Sequence, residues 1–374
     1  MIDFNGNYAV DLQNIPDLAA GAGKTAYWFD GVDDKITISD DINIEPGSGD
    51  FSILAEVGVD ELVNNDRILA KRDGTNGYEL YYTASKVGLF VGDGTDYITS
   101  TLTDVSTGNH IVVAVADKSG TAIVYVDGVA GAGASLASVD AVTGGAIDLT
   151  LGVDSAGNYA ELNSLSKVYI FNLALTTAEV KALSSGAPIP YKYLGASQTE
   201  MIFATTASSD DNDFSTDTGN WTKGAGWAID AAGSDLAEKT GVDNNSSLYM
   251  NVGLVAGKRY RITFDYTRTA GTMTLNEHDG GWVLLESYIS ASGSEVFEWT
   301  STSTNENIYF KGVSTTFLGT VDNVFITQIG AVAIYEPDGI ASGFWYDKSG
   351  NNLTGTVSGA IDINRDVPIY GEQH

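Results

Sequence analysis

The segment His278-Asp279-Gly280-Gly281-Trp282 places an imidazole, a carboxyl group and an indole around a glycine pair. An aromatic face can stack on the C–H surface of a sugar ring while neighbouring polar side chains take its hydroxyls. His278, Asp279 and Trp282 are therefore the candidate glycan-binding residues. Trp221, Trp227 and Trp299 fall on strand-like patterns and are expected in the core. Glycoside hydrolysis would need two carboxyl groups facing one cleft, about 5–9 Å apart. Glu56, Glu61, Glu79 and Glu161 are instead scattered, and no Gly-x-Ser-x-Gly, P-loop or His-Glu-x-x-His segment occurs. No catalytic residue is assigned, and the reading is of a protein that is not an enzyme.

Composition narrows the field further. The chain has 374 residues, with 19 basic and 49 acidic side chains and a formal net charge of -30. Nucleic acid and anionic lipid both ask for a basic face, so neither is an expected partner. There is no Cys, so disulfides, thiolate metal sites and Cys nucleophiles are excluded. His110, His278 and His374 are too dispersed for a His-based zinc site. The many carboxylates do offer hard oxygen ligands for Ca²⁺. The acidic pairs Asp33-Asp34, Asp40-Asp41 and Asp210-Asp211 read first as solvated turns and second as such ligands. The N-terminal residues lack a basic start and an apolar stretch, so no signal peptide is expected. The longest apolar runs, such as Ile111 to Ala116, are strand length.

The elements that must position these residues are strands. Gly is abundant (43) and Pro scarce (6), and only 18% of residues are charged. Short alternating runs such as Tyr78-Glu79-Leu80-Tyr81-Tyr82 lie between Gly/Asp/Asn turns, giving an all-β fold class of antiparallel β-sandwiches. Thr176 with Glu179 forms a capping box that opens one short helix, which Gly186 and Pro188 stop. The expected organisation is an arm (1–24), a first β domain (25–185), a linker (186–199), a second β domain (200–330) and a tail (331–374). In the second domain the candidate strands are Leu248 to Val252, Arg259 to Tyr266, Thr272 to Leu275, Val296 to Thr300, Ile308 to Lys311 and Val324 to Thr327. A tail of this length is too small to hold its own core and should dock on another domain or another chain.

The first domain resembles laminin-G-like, concanavalin A-type jelly rolls. Phe29-Asp30-Gly31-Val32-Asp33-Asp34 looks like their opening strand, and Ile68-Leu69-Ala70-Lys71 with Gly77-Tyr78-Glu79-Leu80 like the next hairpin. Asn109-His110-Ile111-Val112-Val113 sits where such domains carry a Trp-His-His strand, and Val124-Tyr125-Val126-Asp127-Gly128 matches their strand-turn element. Val168-Tyr169-Ile170-Phe171 through Val180 resembles the closing strand and helix. Asn109 departs from the family aromatic, and Ser166-Lys167 stands where acids often precede the closing strand. Phe29, Ile111, Val113, Tyr125 and Ile170 should point into the core, while Gly31 and Gly128 shape turns.

The second domain is similar to jelly-roll carbohydrate-binding modules. Asn212-Asp213-Phe214-Ser215 through Trp221 resembles their first strand and Thr320-Val321-Asp322-Asn323-Val324 their last. The resemblance implies that these strands lie side by side and hold a structural Ca²⁺ through Asp213 and Asp322. In the tail, Gly343-Phe344-Trp345-Tyr346-Asp347-Lys348-Ser349-Gly350 looks like the opening segment of a laminin-G-like domain. It should fold back to complete the first jelly roll or donate a strand to a neighbour.

The order of domains resembles virion surface proteins of tailed phages. That resemblance implies a non-enzymatic structural and adhesive protein, of the head-decoration or tail-fibre type. Its partners would be host or environmental glycans, other virion proteins and further copies of itself in a homo-oligomer. The alternatives are a secreted or surface-attached bacterial carbohydrate-binding protein and a divergent glycoside hydrolase.

Overall fold

A computed structural model describes residues 25–59, 67–154, 157, 164–240, 246–278, 282–288, 292–302, 304 and 307–363. The chain divides into two compact units: Met1–Pro188 with Ala331–His374, and Ile189–Gly330. Both are built from antiparallel sheets, and the protein is all-β with jelly-roll-like sandwiches.

In the first unit one sheet runs Thr121–Val126, Gly108–Ala116, Phe51–Val59, Ser164–Phe171, Ala26–Trp28, Ile361–Ile363. The other runs Gly355–Ser358, Lys35–Ile38, Leu149–Leu151, Arg67–Asp73, Asn76–Thr83, Lys86–Asp93, Tyr97–Thr99. Phe29, Val113, Tyr125 and Ile170 are all buried, but the strand register puts Val113 and Tyr125 on the opposite face of their sheet from Ile170, and Tyr125 reaches Thr177 of the covering helix at 3.4 Å. Ile111 is only half-buried. It sits on the outer side of its strand beside Ser184, Ser185 and Gly186, where the covering helix has ended. That helix is Thr177–Ser184, with the Thr176–Glu179 capping box in place. Asp127 and Gly128 both take positive φ (50° and 76°), the signature of a type I′ hairpin turn.

The tail belongs to this first unit. Ala331–Tyr335 pairs with Ser164–Phe171, Gly355–Ser358 with Lys35–Ile38, and Ile361–Ile363 with Ala26–Trp28. Trp345 is fully buried against Tyr27 and Tyr335, with ring centroids 5.6 and 5.4 Å away. An indole of that size buried against two rings is a large hydrophobic contribution, and its N–H is satisfied by Glu336 O at 2.9 Å.

The acidic pairs are not simply solvated. Asp34 is buried and its Oδ2 accepts from Asp30 N–H at 2.6 Å. Asp40 pairs with the buried ammonium of Lys71, and Asp41 caps the short helix Ile42–Ile44. Asp211 is buried and takes hydrogen bonds from Thr218 and Asn220. A buried carboxylate needs such donors to offset its lost hydration.

In the second unit, two pairs of expected strands merge. Arg259–His278 and Asn307–Gln328 are single long strands paired along most of their length. Thr267 to Gly271 looks like a turn in sequence but is a bulged stretch, with register shifts between Arg268 and Ala270 and between Ala270 and Thr272. Bulges bend a strand, and both halves of the long strand feed one core: Tyr260, Ile262 and Phe264 pack in the same cluster as Met273 and Leu275. Trp221, Trp227 and Trp299 are buried in it. The stretch read as linker is part of this unit from residue 189 on. Tyr193 is buried, and Lys258 Nζ donates to Tyr191 O and Leu194 O at 3.0 and 2.7 Å. Asp210–Asp213 is a short helix rather than a strand.

Candidate functional site

The second unit presents a sheet face built from four strands: Ser247–Asn251, Asn307–Gln328, Arg259–His278 and Trp282–Tyr288. Tyr249 is directly across from Tyr309, Tyr309 from Asn276, and Asn276 from Leu284. Directly paired residues share a face of the sheet. Tyr249 and Tyr309 stack with centroids 4.7 Å apart at 25°. His278, two positions from Asn276, lies 6.2 Å from the Tyr309 ring. Asn251 pairs with Asn307, whose Nδ2 donates to the Tyr309 hydroxyl at 3.0 Å. Asn276 Oδ1 accepts from Thr274 Oγ1 at 2.6 Å. Asn276 and Tyr309 are themselves buried, so Tyr249, Asn251, Asn307 and His278 carry the accessible part of this face, an aromatic ring flanked by carboxamides.

This face has a rigid back. Glu277, between Asn276 and His278, points the other way and is fully buried. Its Oε2 accepts from Trp299 Nε1 at 3.0 Å, and its Oε1 accepts from Ser301 Oγ and from Thr302 N–H at 3.1 Å. These bonds supply the donors that a buried carboxylate requires and tie the long strand to Gly293–Thr300.

Of the residues named from sequence, His278 is in this face, half-buried. Trp282 is paired with His278 in the strand register. Asp279 lies outside the described residues. Tyr249, Tyr309, Asn251, Asn276 and Asn307 were not picked out from sequence. Their signal is the alternation Tyr249-x-Asn251 and Asn307-x-Tyr309, which puts aromatic and amide groups on one side of neighbouring strands.

Asp213 and Asp322 are brought close enough to influence each other. The short helix holding Asp213 lies along the last strand, with Asn212 Nδ2 donating to Val324 O at 2.7 Å. Burial raises the pKa of Asp322, and the charges of Asp265, Asp213 and Asp235 raise it further. Asp213 is held low by hydrogen bonds from the Ser215 hydroxyl and amide. Asp265 is lowered by hydrogen bonds from Ser294 and Asn323. Among the described residues, the three carboxylates whose oxygens converge within 4.8 Å are Asp30, Asp33 and Asp34. Asp213 and Asp322 do not form such a cluster.

The described glutamates of the set weighed for hydrolysis are engaged in ion pairs. Glu79 pairs with Arg67 and Arg72, and Glu56 with Lys167 at 2.8 Å; Glu61 and Glu161 lie outside the described residues. His110 Nδ1 contacts Asp127 Oδ2 at 2.8 Å, and its Nε2 contacts Ser106 Oγ at 3.1 Å. That order resembles an acyl-transfer triad. However, Asp127 is half-exposed and its Oδ1 accepts from Ile111 N–H at 2.9 Å, which makes it a brace of the hairpin turn. No helix among the described residues is long and apolar enough to cross a membrane.

Residues 30–181 match the concanavalin A-like lectin/glucanases superfamily, so the first unit carries a domain of that kind. Among solved structures, a putative carbohydrate binding protein from Bacteroides ovatus is similar at 17% identity and a TM-score of 0.35. The match covers 42% of this chain and 46% of that one, under half its length. A pentraxin from Limulus polyphemus matches at 15% identity and a TM-score of 0.34, covering 43% of this chain and 82% of that one. The CBM40 module of a Ruminococcus gnavus sialidase matches at 17% identity and a TM-score of 0.32, covering 40% and 96%. No curated protein matches the chain.

Proposed function

We propose that this is a non-enzymatic glycan-binding protein that uses the Tyr249–Tyr309–His278 face, displayed in many copies on a phage virion. The stacked Tyr249–Tyr309 pair flanked by carboxamides is the observation that supports it. The lectin-type domain of the first unit accords with it. A shallow face binds each glycan weakly, and multivalent display raises the effective affinity. A structural Ca²⁺ on Asp213 and Asp322 would relieve the repulsion that Asp265 and Asp213 exert on Asp322, but it needs these carboxylates to draw closer than they stand here. The head-decoration or tail-fibre role rests on the order of the domains in the sequence, as do the homo-oligomer and the virion partners.

The test is binding of the purified protein, immobilised at high density, to a panel of bacterial and algal polysaccharides with Ca²⁺ and with chelator. Tyr249→Ala and Trp282→Ala are run alongside. Binding lost in both variants supports the reading. No binding in any condition overturns it in favour of a purely architectural protein. Antibody labelling of intact phage particles that encode the chain tests the virion assignment, and unlabelled particles reject it.

A further inference from the structure

The side chain of Lys71 is wholly buried in the first unit, although an ammonium is strongly hydrated and costly to take out of water. Lys71 lies in Arg67–Asp73, and its Nζ meets Oδ1 of Asp40, just past the end of Lys35–Ile38. Between these two strands runs Leu149–Leu151, which pairs with both. The loop that leads into this middle strand holds the two groups together. Lys71 Nζ donates to Ile147 O at 2.7 Å and to Gly145 O at 3.5 Å, and the Asp40 N–H donates to Asp148 Oδ1 at 3.1 Å. Gly144 lets the loop close over the lysine stem. Its φ is 71°, and a Cβ there would come within 2.9 Å of Lys71 Cγ.

A third group faces this pair. Glu45 ends the short helix Ile42–Ile44, and its Oε1 lies 3.7 Å from Lys71 Nζ. Tyr78 fixes the backbone beside it. The Tyr78 ring is buried against Phe51, with centroids 5.3 Å apart, and its hydroxyl donates to Ile44 O at 2.9 Å. Burial raises the Glu45 pKa; the Lys71 charge lowers it, the charges of Asp40 and Asp41 raise it, and the balance is upward. Glu45 therefore keeps its proton more readily than an ordinary glutamate. An amine held on one carboxyl group, with a second, proton-holding carboxyl group beside it, supplies a nucleophile, an electrophile and a general acid–base.

We propose that Lys71 and Asp40 join in an intramolecular isopeptide bond, a covalent staple across the middle strand of the sheet, with Glu45 relaying the proton. The ion pair is the reactant. The ammonium passes one proton to the Asp40 carboxylate, and the Nζ lone pair forms a bond to Asp40 Cγ. Glu45 gives its proton to the departing hydroxyl and takes one from the nitrogen. The C–O bond breaks, one water leaves, and Glu45 ends as it began. No oxidant, reductant or co-reactant is consumed. The Asp40 side chain is 36% exposed, so the water has an exit. The product is neutral, which removes the desolvation cost of a buried ammonium. Holding both groups in place replaces an encounter between separate molecules with a step inside one. The bond forms whether or not the protein binds glycan.

The test is the intact mass of the purified full-length protein, followed over days of incubation at neutral pH. The parent protein should weigh less than its sequence by one water, wholly or in a fraction that grows with time. Asp40→Ala should keep the full mass of its own sequence. A tryptic digest locates the bond: residues 36–67, which contain Asp40, should appear joined to residues 68–72, because an acylated Lys71 is no longer cleaved. Glu45→Gln should slow the loss of water about a hundredfold. A parent protein that keeps its full mass throughout overturns the bond, and this outcome does not depend on how any variant folds. A water lost elsewhere in the peptide map, as in a succinimide at an Asp-Gly pair, overturns it too. Bond formation at the parent rate in Glu45→Gln overturns the role of Glu45.

Discussion

The Tyr27 hydroxyl donates to Phe344 O at 2.7 Å, joining residues 317 positions apart, and it also contacts Ala341 O at 3.0 Å. One side chain near the start of the first unit thereby secures the Ile340–Trp345 hairpin of the tail. Tyr27→Phe leaves those carbonyls without their donor and should cost about 1–2 kcal/mol. Chemical denaturation of the first unit reads this directly.

The same hydroxyl predicts an alkaline limb. Burial, aided by the charge of Asp362, pushes the Tyr27 pKa up from 10.0 to about 12. The folded state therefore holds this proton more tightly than the unfolded chain. Its contribution to stability is complete below pH 10 and is lost as pH rises toward about 12. Tyr78, Tyr169 and Tyr335 are raised by burial in the same unit and act in the same direction. Stability measured between neutral pH and pH 12 should fall, and the fall should be shallower in Tyr27→Phe.

Removing the tail should unfold more than the tail. Residues 331–374 contribute strands to both sheets of the first unit and fill its core with Trp345. Trp345→Ala should cost about 3–5 kcal/mol through the cavity it leaves. Deletion of 331–374 should abolish the cooperative unfolding transition of the first unit in calorimetry. An unchanged transition would show that the tail merely rests on a complete domain.

Calcium and the Asp322→Asn substitution should each stabilise the second unit, and their effects should not add. Because Asp322 is raised in the fold, its carboxylate is disfavoured there, and stability falls as pH rises through its titration. In chelator, Asp322→Asn should therefore raise the melting temperature. In Ca²⁺ the parent protein should gain stability while the variant gains none. Melting curves that ignore Ca²⁺ in both proteins would reject the metal.

On the face proposed to bind glycan, Tyr249→Ala should weaken polysaccharide binding about tenfold with little loss of stability, since its ring covers Tyr309 from the solvent side. Glu277→Gln is the contrasting case. It disturbs a buried carboxylate held by Trp299, Ser301 and Thr302, so it should lower the melting temperature before it changes binding.

Local patterns were sufficient for the fold class, the Thr176–Glu179 capping box, the Asp127-Gly128 turn and the three buried tryptophans of the second unit. Each depends on period-two alternation, cap chemistry or turn chemistry within a few residues, so the sequence by itself determined them. His278 was picked out as a polar aromatic in a glycine-rich segment, and the fold puts its ring 6.2 Å from Tyr309. Tertiary structure decided what depends on pairing between distant strands. Thr267 to Gly271 has turn-like residues, but cross-strand partners keep it extended as a bulge. Tyr249 and Tyr309 are unremarkable apart, and only the register of Ser247–Asn251 against Asn307–Gln328 stacks them. Arg67, Arg72 and Glu79 become one network because adjacent strands bring opposite charges together on a desolvated face, a contact that no one-dimensional pattern encodes.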